Sequence, residues 1–256
     1  MRTELVGNPY LYLTFRCPFR CNFCYTCSGP DRTGTEVSTE RTFEIMDYFT
    51  GGKNLTVSGG EPLLHPGAGE ILKRAAEKFT WVTVFTNGQP IYGDIGQQRA
   101  LIRSKLERFL DTMPENIRFV FPVTQEHLRQ GNHRSFITVA AEVAKKRQTV
   151  CFFVKNSPGK ADGAELIKDF NLLGLENPGS AFPGNIIAHG RAFNLYGAKV
   201  LPGNPAEYPP ELHLCYAGAF PDEWSFLHFI TSGKVEPQPQ LRPSQPVSVE
   251  DFIQSA

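Results

Sequence analysis

Residues 9–24 read PYLYLTFRCPFRCNFC, an aromatic-rich stretch that runs into three closely spaced cysteines. The first part, Pro9 to Arg16, follows a Gly-Asn pair and ends at a Cys-Pro pair, which is typical of a β-strand between turns. The second part has the spacing C-x3-C-x2-C, formed by Cys17, Cys21 and Cys24. The sequence therefore predicts a strand that ends directly in a cysteine-rich loop.

Strand-like and helix-like segments alternate after this loop. Apolar and aromatic runs predict further strands at residues 55–58, 80–86, 117–121, 149–155 and 185–188. Helical spacing of apolar residues predicts helices at residues 40–49, 68–79, 97–111, 135–147 and 161–173. Because crossovers of this length allow parallel pairing, we expect an α/β fold with a parallel sheet covered by helices. Six strands are fewer than the eight of a closed barrel.

Two of these helices carry specific expectations. Ser38 or Thr39 can cap the first helix, because a hydroxyl accepts a backbone N–H at a helix start. In the helix at 97–111, we expect one apolar stripe to face the core. That stripe consists of Leu101, Ile102, Leu106, Phe109 and Leu110.

Length and composition set the domain organisation. The 256 residues are enough for one large α/β domain, which we expect to cover residues 1–200. From about residue 201 the chain becomes rich in proline and loses its periodic pattern. We therefore expect a short irregular C-terminal extension at residues 201–256, with about the last 20 residues poorly ordered.

The charge balance excludes several classes of partner. The 26 basic and 26 acidic side chains leave no net charge, whereas nucleic-acid binding requires clustered basic residues. The sequence has no run of 18 apolar residues, so we expect no transmembrane helix. Its first residues lack the charged and then apolar segments of a signal peptide. We expect a cytoplasmic protein with no nucleic-acid or membrane partner. In that compartment cysteines are more often metal ligands or catalytic thiols than disulfides.

Three conspicuous segments follow the first three predicted strands. They are the cysteine loop, the sequence Gly59-Gly60-Glu61-Pro62 and the sequence Thr86-Asn87-Gly88. The carboxyl ends of parallel strands lie at one edge of a sheet, where ligands bind in such folds. We therefore expect the three segments to meet in one site.

The chemistry of the cysteine loop favours an iron–sulfur cluster. Soft thiolate ligands select zinc or iron–sulfur, and three thiolates on one short loop can hold an iron–sulfur cube with one iron left without a protein ligand. A four-thiolate zinc site with Cys27 as the fourth ligand is the alternative, although structural zinc sites usually pair two separate cysteine hairpins. Four cysteines in a polar loop are a poor fit to buried structural thiols.

CPFRCNFC after the first strand, SGGEP after the second and TNG after the third together resemble the radical S-adenosylmethionine (radical SAM) superfamily. The resemblance covers roughly residues 9–192 and implies a partial (β/α)6 TIM-like barrel. It implies that Cys17, Cys21 and Cys24 bind three irons of one [4Fe-4S] cluster and that S-adenosylmethionine (SAM) chelates the fourth. It also implies an enzyme that takes one electron from an external reductant of the flavodoxin or ferredoxin type and forms a 5′-deoxyadenosyl radical from SAM.

The resemblance extends to the residues around SAM. Phe23, the aromatic residue before the third cysteine, is expected near the adenine, and the Gly-Gly-Glu segment near the methionyl ammonium. The Thr-Asn pair is expected at the ribose hydroxyls or the carboxylate, although Asn-Gly alone is an ordinary turn signal. The candidate cofactor contacts are Phe23, Gly59, Gly60, Glu61, Pro62, Thr86, Asn87, Asn156 and Arg191.

The C-terminal part is similar to the start of the SPASM/twitch extension, which carries auxiliary clusters in one branch of the superfamily. Gln238 stands where that extension has a cysteine, and only Cys151 and Cys215 remain beyond the loop. We expect a degenerate extension and no second cluster. Cys151 lies in an apolar strand and is expected to be a core residue. Cys27 and Cys215 are either candidate hydrogen donors to a substrate radical or residues without a catalytic role.

The remaining residues do not identify the substrate or the reaction. The six histidines show no metal-binding spacing, and we expect His65 to be a loop histidine with its own hydrogen-bond partners. We expect a small-molecule or peptide substrate and a biosynthetic reaction such as rearrangement, epimerisation or carbon–carbon bond formation. The alternatives are a non-catalytic iron–sulfur protein for electron transfer or sensing, and a four-thiolate zinc-binding interaction module.

Overall fold

The seven strands in the described part of the chain lie in one sheet and are parallel to their neighbours, in the order β6-β5-β4-β3-β2-β1-β7. The computed structural model describes residues 10–22, 24, 26, 28–34, 36–49, 53–93, 98–130 and 132–155, and two short strands further along the chain. The strands are β1 (Tyr10–Tyr12), β2 (Asn54–Ser58), β3 (Trp81–Phe85), β4 (Ile117–Val123), β5 (Val150–Lys155), β6 (Ala181–Gly184) and β7 (His213–Leu214).

Helices connect the consecutive strands from β1 to β5. They are α1 (Thr39–Tyr48), α2 (Ala68–Lys78), α3 (Gln89–Tyr92), α4 (Arg99–Asp111), α5 (Gln125–Arg129) and α6 (His133–Ala144), and a 3-10 turn at Pro62–Leu64 precedes α2. Ser38 caps α1 as predicted, since its hydroxyl accepts the N–H of Arg41 at 3.1 Å. The alternation of strand and helix around an open parallel sheet confirms the predicted fold class, a partial barrel.

The core lies between the sheet and the helices. On β2 and β3 every second side chain is fully buried, namely Leu55, Val57, Val82 and Val84. Central strand β4 is apolar at successive positions, as expected for a strand covered on both faces. Burial of each such valine or leucine side chain contributes about 1.5–3 kcal/mol. The sheet is therefore a rigid base for the loops at its edge.

The stripe on α4 differs from the predicted one. Ile102, Leu106 and Leu110 are buried, whereas the prediction for Leu101 is wrong because its side chain is 44% exposed. Residues four apart lie on one face of a helix, so a stripe that begins at position 102 leaves position 101 on the flank. Phe109 packs against the core from the edge of the stripe.

Several element boundaries also differ. Strand β1 ends at Tyr12, whereas the sequence predicted an end at Arg16. The structure also contains two short helices, α3 and α5, that the sequence pattern did not predict. The structure has a strand, β6, at residues 181–184, and the strand predicted at residues 185–188 lies outside the described residues. The region predicted to be irregular contributes β7, which pairs with β1. Elements of two to five residues are too short for a periodicity to identify.

Other predictions fall on residues that the structure does not describe. They include the helix at 161–173, the domain boundary at residue 200 and the expected disorder of the last residues. Among the described residues, none of the helices has the length and apolar character that crossing a bilayer requires.

Candidate active site

The register of the strands brings three loops and one short helix to the same edge of the sheet. At the carboxyl end, Tyr12 of β1 pairs with Ser58 of β2, and Phe85 of β3 pairs with Val120 of β4. The segments that follow these strands are the cysteine loop (residues 17–28), the Gly-Gly-Glu turn (residues 59–61), the Thr-Asn turn (residues 86–87) and α5. The first three were expected to meet at this edge, and the structure adds α5.

The Gly-Gly-Glu turn lies directly against the beginning of the cysteine loop. Gly60 N–H donates to the Thr14 carbonyl at 2.7 Å, and Glu61 N–H donates to the Arg16 carbonyl at 2.9 Å. A Cβ on Gly59 would lie 2.3 Å from the Thr14 oxygen, and one on Gly60 would lie 2.4 Å from the Arg16 oxygen. Gly59 also has a φ of +129°, which side-chain-bearing residues rarely adopt. Both glycines are therefore required by this close backbone contact.

Glu61 connects the second and third loops. Its side chain is fully buried, and its carboxylate accepts hydrogen bonds from Thr86 Oγ1 at 2.6 Å, Asn87 N–H at 2.7 Å and Leu63 N–H at 3.0 Å. Burial raises the pKa of Glu61 to about 7, although these three hydrogen bonds act in the opposite direction. The carboxylate therefore holds the Thr-Asn turn against the Gly-Gly-Glu turn.

The Thr-Asn turn continues this network toward the first cysteine. Thr86 Oγ1 accepts the Gly88 N–H at 3.0 Å. Asn87 is buried, and its Nδ2 lies 3.6 Å from Cys17 Sγ, within hydrogen-bonding distance of a sulfur acceptor. Glu61, Thr86, Asn87 and Cys17 thus form one connected chain of contacts.

The cysteine loop folds back on itself. Cys17 N–H donates to the Gly29 carbonyl at 3.1 Å, and Cys24 N–H donates to the Cys21 carbonyl at 3.1 Å. Cys24 Sγ accepts the Ser28 N–H at 3.3 Å and contacts Thr26 Oγ1 at 3.2 Å. Cys17 and Cys21 are buried, whereas Cys24 is half-buried. Hydrogen-bond donors beside sulfur stabilise thiolate ligands.

Helix α5 contacts the middle of this loop. Thr124 Oγ1 caps α5 by accepting the His127 N–H at 3.1 Å. Both carboxylate oxygens of Glu126 lie 2.9 Å from the Asn22 amide nitrogen, and His127 Nε2 lies 3.1 Å from Cys21 Sγ. The sequence reasoning assigned no role to Glu126 or His127. The available signal is their place directly after the fourth strand, at the same edge as the other loops.

The donor set of the cysteine loop is compatible with an iron–sulfur cluster. Among the described residues, no three His, Cys, Asp or Glu side chains converge on one position for a metal ion. Cys27, the fourth candidate ligand of the alternative zinc site, lies outside the described residues. In an iron–sulfur cube each thiolate binds a different iron, so the three sulfurs do not need to meet at one point. Three loop cysteines with polar donors beside their sulfurs therefore fit a cluster.

Comparison with known proteins identifies the family. The family model of the Radical SAM superfamily matches residues 11–154. The chain belongs to this superfamily. The match spans β1 to β5 and includes the three loop cysteines, the Gly-Gly-Glu turn and the Thr-Asn turn.

Curated relatives share shorter segments. The chain is 42% identical over 78 residues to the antilisterial bacteriocin subtilosin biosynthesis protein AlbA of Bacillus subtilis (strain 168), over 30% of this chain and 17% of the relative. It is 35% identical over 78 residues to the PqqA peptide cyclase of Granulibacter bethesdensis, over 30% and 21%. It is 32% identical over 112 residues to a probable GTP 3′,8-cyclase of Archaeoglobus fulgidus, over 43% and 37%.

Among solved structures, one match is Streptococcus suis SuiB bound to the precursor peptide SuiA. The likeness covers 81% of this chain and 44% of that one, with 14% identity and a TM-score of 0.49. The chain spans less than half the length of each of these four proteins.

In this radical SAM chain, Phe19 of the cysteine loop packs in a cluster with His127 and His133. The Phe19 ring lies 5.6 Å from the rings of both His127 and His133, measured between centroids. His133 is fully buried, and burial lowers its pKa to about 4 despite the nearby Pro122 carbonyl. Among the described residues, neither ring nitrogen of His133 has a hydrogen-bond partner. The His133 ring is therefore uncharged at neutral pH.

The remaining candidate residues divide into two groups. His65 is buried with both ring nitrogens bonded, since Nε2 donates to the Val37 carbonyl and Nδ1 accepts the Gly67 N–H, which confirms the expected loop role. Cys151 is buried in β5, where burial raises the pKa of its thiol, as expected for a core residue. Five candidates lie outside the described residues, namely Phe23, Cys27, Asn156, Arg191 and Cys215.

Proposed function

We propose that this radical SAM enzyme holds one [4Fe-4S] cluster on Cys17, Cys21 and Cys24 and binds SAM beside it, at the carboxyl edge of the sheet. When bound, these groups supply a 5′-deoxyadenosyl radical that abstracts a hydrogen atom from the substrate, with one electron from a flavodoxin- or ferredoxin-type reductant. The observation that carries the proposal is the direct backbone pairing between the Gly-Gly-Glu turn and Thr14 and Arg16, the residues that lead into the cysteine loop.

The residues of this edge have separate roles in the proposal. The three thiolates hold the cluster, and Asn87 donates a hydrogen bond to the first of them. Backbone groups of the Gly-Gly-Glu turn bind the methionyl group of SAM, while the buried Glu61 carboxylate fixes the turn through Thr86 and Asn87. Pro62, Phe23, Asn156 and Arg191 complete the proposed SAM contacts.

A peptide is the substrate class that we propose. Support comes from the PqqA peptide cyclase and the bacteriocin biosynthesis protein among the relatives. A small molecule is the second candidate, because the probable GTP 3′,8-cyclase matches a longer segment of the chain. We propose a rearrangement, an epimerisation or a carbon–carbon bond formation, and in an epimerisation Cys27 or Cys215 is the proposed hydrogen donor.

The proposal also includes the organisation of the chain. Residues 1–200 form the radical SAM barrel, and residues 201–256 form an extension without an auxiliary cluster. We place the enzyme in the cytoplasm, where a reducing environment suits thiolate ligands and one-electron donors.

Anaerobic reconstitution of the cluster tests the cofactor assignment. The wild-type chain should bind about four irons and four sulfides, as one cube requires. Cys21→Ala should lose the iron and the release of 5′-deoxyadenosine from SAM under dithionite. Cys151→Ala is the matched control, because it removes a buried thiol from β5, and it should keep both.

Other outcomes of this experiment would indicate a different function. A colourless preparation with one zinc per chain would contradict the cluster assignment. A normal cluster without 5′-deoxyadenosine release would indicate an electron-transfer or sensing protein. For the substrate, a peptide should increase 5′-deoxyadenosine formation above the uncoupled rate, whereas an increase with GTP alone would contradict the peptide assignment.

A further inference from the structure

Two consecutive residues of α5 contact two consecutive residues of the cysteine loop. Glu126 accepts the Asn22 N–H, and His127 Nε2 lies 3.1 Å from Cys21 Sγ. The His127 contact is between two buried side chains, with relative exposures of 6% and 7%. It is shorter than the 3.6 Å contact between Asn87 and Cys17. The geometry therefore orients the imidazole toward one specific cluster ligand.

The position of the His127 ring is determined by contacts on several sides. The cap at Thr124 fixes the start of α5, and the Glu126 carboxylate ties this helix to the loop. The Phe19 and His133 rings lie 5.6 Å and 5.3 Å from the His127 ring, measured between centroids. A side chain packed in this way reaches the sulfur with little loss of conformational entropy.

The chemistry of a metal-bound thiolate determines the direction of this hydrogen bond. A thiolate has no proton and can only accept, so Nε2 must carry the hydrogen when Cys21 binds iron. Hydrogen bonds to the sulfurs of an iron–sulfur cluster stabilise its more negative, reduced state and raise its reduction potential. His127 is thus suited to act through Cys21 on the ease of cluster reduction.

We propose that His127 is a positioning residue that donates a hydrogen bond to the Cys21 thiolate and makes the cluster easier to reduce. The proposal rests on the proposed function, because it requires a cluster on the three loop cysteines. It adds a residue outside the cysteine loop that sets how readily the enzyme accepts its electron.

Three variants of the full chain test this proposal after anaerobic reconstitution. His127→Phe removes the donor and keeps a planar ring, whereas His127→Gln keeps an N–H near the position of Nε2. His65→Gln is the matched control, because His65 is a buried histidine whose ring nitrogens bond to backbone groups. The measurements are the iron content and the midpoint potential, followed by electron paramagnetic resonance without SAM.

We expect His127→Phe to hold iron but to be reduced less readily. At a fixed solution potential the ratio of reduced to oxidised cluster should fall about tenfold, which equals about 59 mV for a one-electron couple. His127→Gln should restore most of this ratio, and His65→Gln should match the wild type. The rate of 5′-deoxyadenosine formation in His127→Phe should recover with a stronger reductant.

Other results would overturn the proposal. If His127→Phe kept the wild-type potential, the hydrogen bond would have no effect on the cluster. If His127→Phe and His127→Gln lost iron equally, the site would require the imidazole for packing and not for N–H donation. Absence of a cluster in the wild type would instead contradict the proposed function, so the two failures are distinguishable.

Discussion

Two glutamates hold backbone amides at the carboxyl edge of the sheet, but their surroundings differ. Glu61 is fully buried and accepts three hydrogen bonds, which join the loops after β2 and β3. Glu126 is half-buried and holds one exposed amide, that of Asn22, which joins α5 to the cysteine loop. The site thus has two halves. In the Glu61 half, formed by the loops after β2 and β3, the glutamate is buried; in the Glu126 half, formed by α5 and the cysteine loop, it is partly solvated.

This difference separates the part of the site that the fold builds from the part that the cofactor completes. In the Glu61 half, the three hydrogen bonds to Glu61 end on its own carboxylate oxygens, so they do not depend on a ligand; one further contact, from Asn87 Nδ2, reaches Cys17 Sγ. In the Glu126 half, the contacts of Cys21 and Cys24 end on sulfur, the atom that binds iron. Because metal binding to such loops is coupled to their folding, the cysteine loop should gain most of its order on cluster binding.

Substitution of Gly60 should have the largest effect, because this residue lies where the two halves meet. In Gly60→Ala the new Cβ would lie 2.4 Å from the Arg16 oxygen and 2.8 Å from the Phe15 oxygen, and both are backbone atoms. We expect a loss of about 3 kcal/mol in the free energy of unfolding, measured by urea denaturation, and a reduced iron content after reconstitution.

Gly69→Ala is the matched control for this substitution. Gly69 lies in α2, and among the described residues a Cβ there would have no atom within 4 Å apart from its chain neighbours and the helix's own backbone. Alanine should stabilise this helix by about 0.5–1 kcal/mol and leave iron binding unchanged. Equal stability of the two variants would show that the turn can move away from the cysteine loop.

The second prediction concerns the pH dependence of the Glu61 half. A carboxyl with a folded pKa of about 7 and an unfolded value of 4.5 binds its proton more tightly in the folded state. Its contribution is fully present below pH 4.5 and is lost as the pH rises through 7, by about 3 kcal/mol in total. In Glu61→Gln this decrease should disappear from the free energy of unfolding of the chain without cofactor. The variant should also lose about 1–3 kcal/mol at low pH, because the amide nitrogen cannot accept the Asn87 N–H.

His133 provides an internal check on this prediction. Its pKa is lowered from 6.5 to about 4, so the unfolded chain binds the proton more tightly. The stability that it contributes is present above pH 6.5 and is lost as the pH falls through 4, opposite in direction to that of Glu61. Glu61→Gln should therefore reveal a rise in stability between pH 4 and 6.5. A pH profile in Glu61→Gln that is unchanged from the wild type over this range would indicate that Glu61 does not keep its proton in the folded chain.

The two halves also differ in how far the sequence predicts them. The meeting of the cysteine loop with the Gly-Gly-Glu and Thr-Asn turns follows from the general geometry of parallel sheets, since each segment directly follows a strand. The contacts of Glu126 and His127 with the cysteine loop join positions more than 100 residues apart and leave no periodic signal. Glu61 was expected to bind SAM, and its bonds to the neighbouring turn depend on side-chain directions that spacing does not specify.

Substitution of Glu126 should have the smallest effect on the free energy of unfolding, and it tests the Glu126 half of the site directly. Glu126→Ala removes the acceptor for the exposed Asn22 amide, whereas Glu126→Gln keeps one oxygen at the same position. Because hydrogen bonds of this kind contribute about 1 kcal/mol, we expect Glu126→Ala to lose no more than that in stability. The Asn22 amide should exchange its hydrogen faster in Glu126→Ala, and Glu126→Gln should retain most of the protection. The difference should be largest without the cluster and should decrease after reconstitution, because iron binding then orders the loop. If the exchange rates differed equally with and without iron, the cofactor would not complete this half of the site.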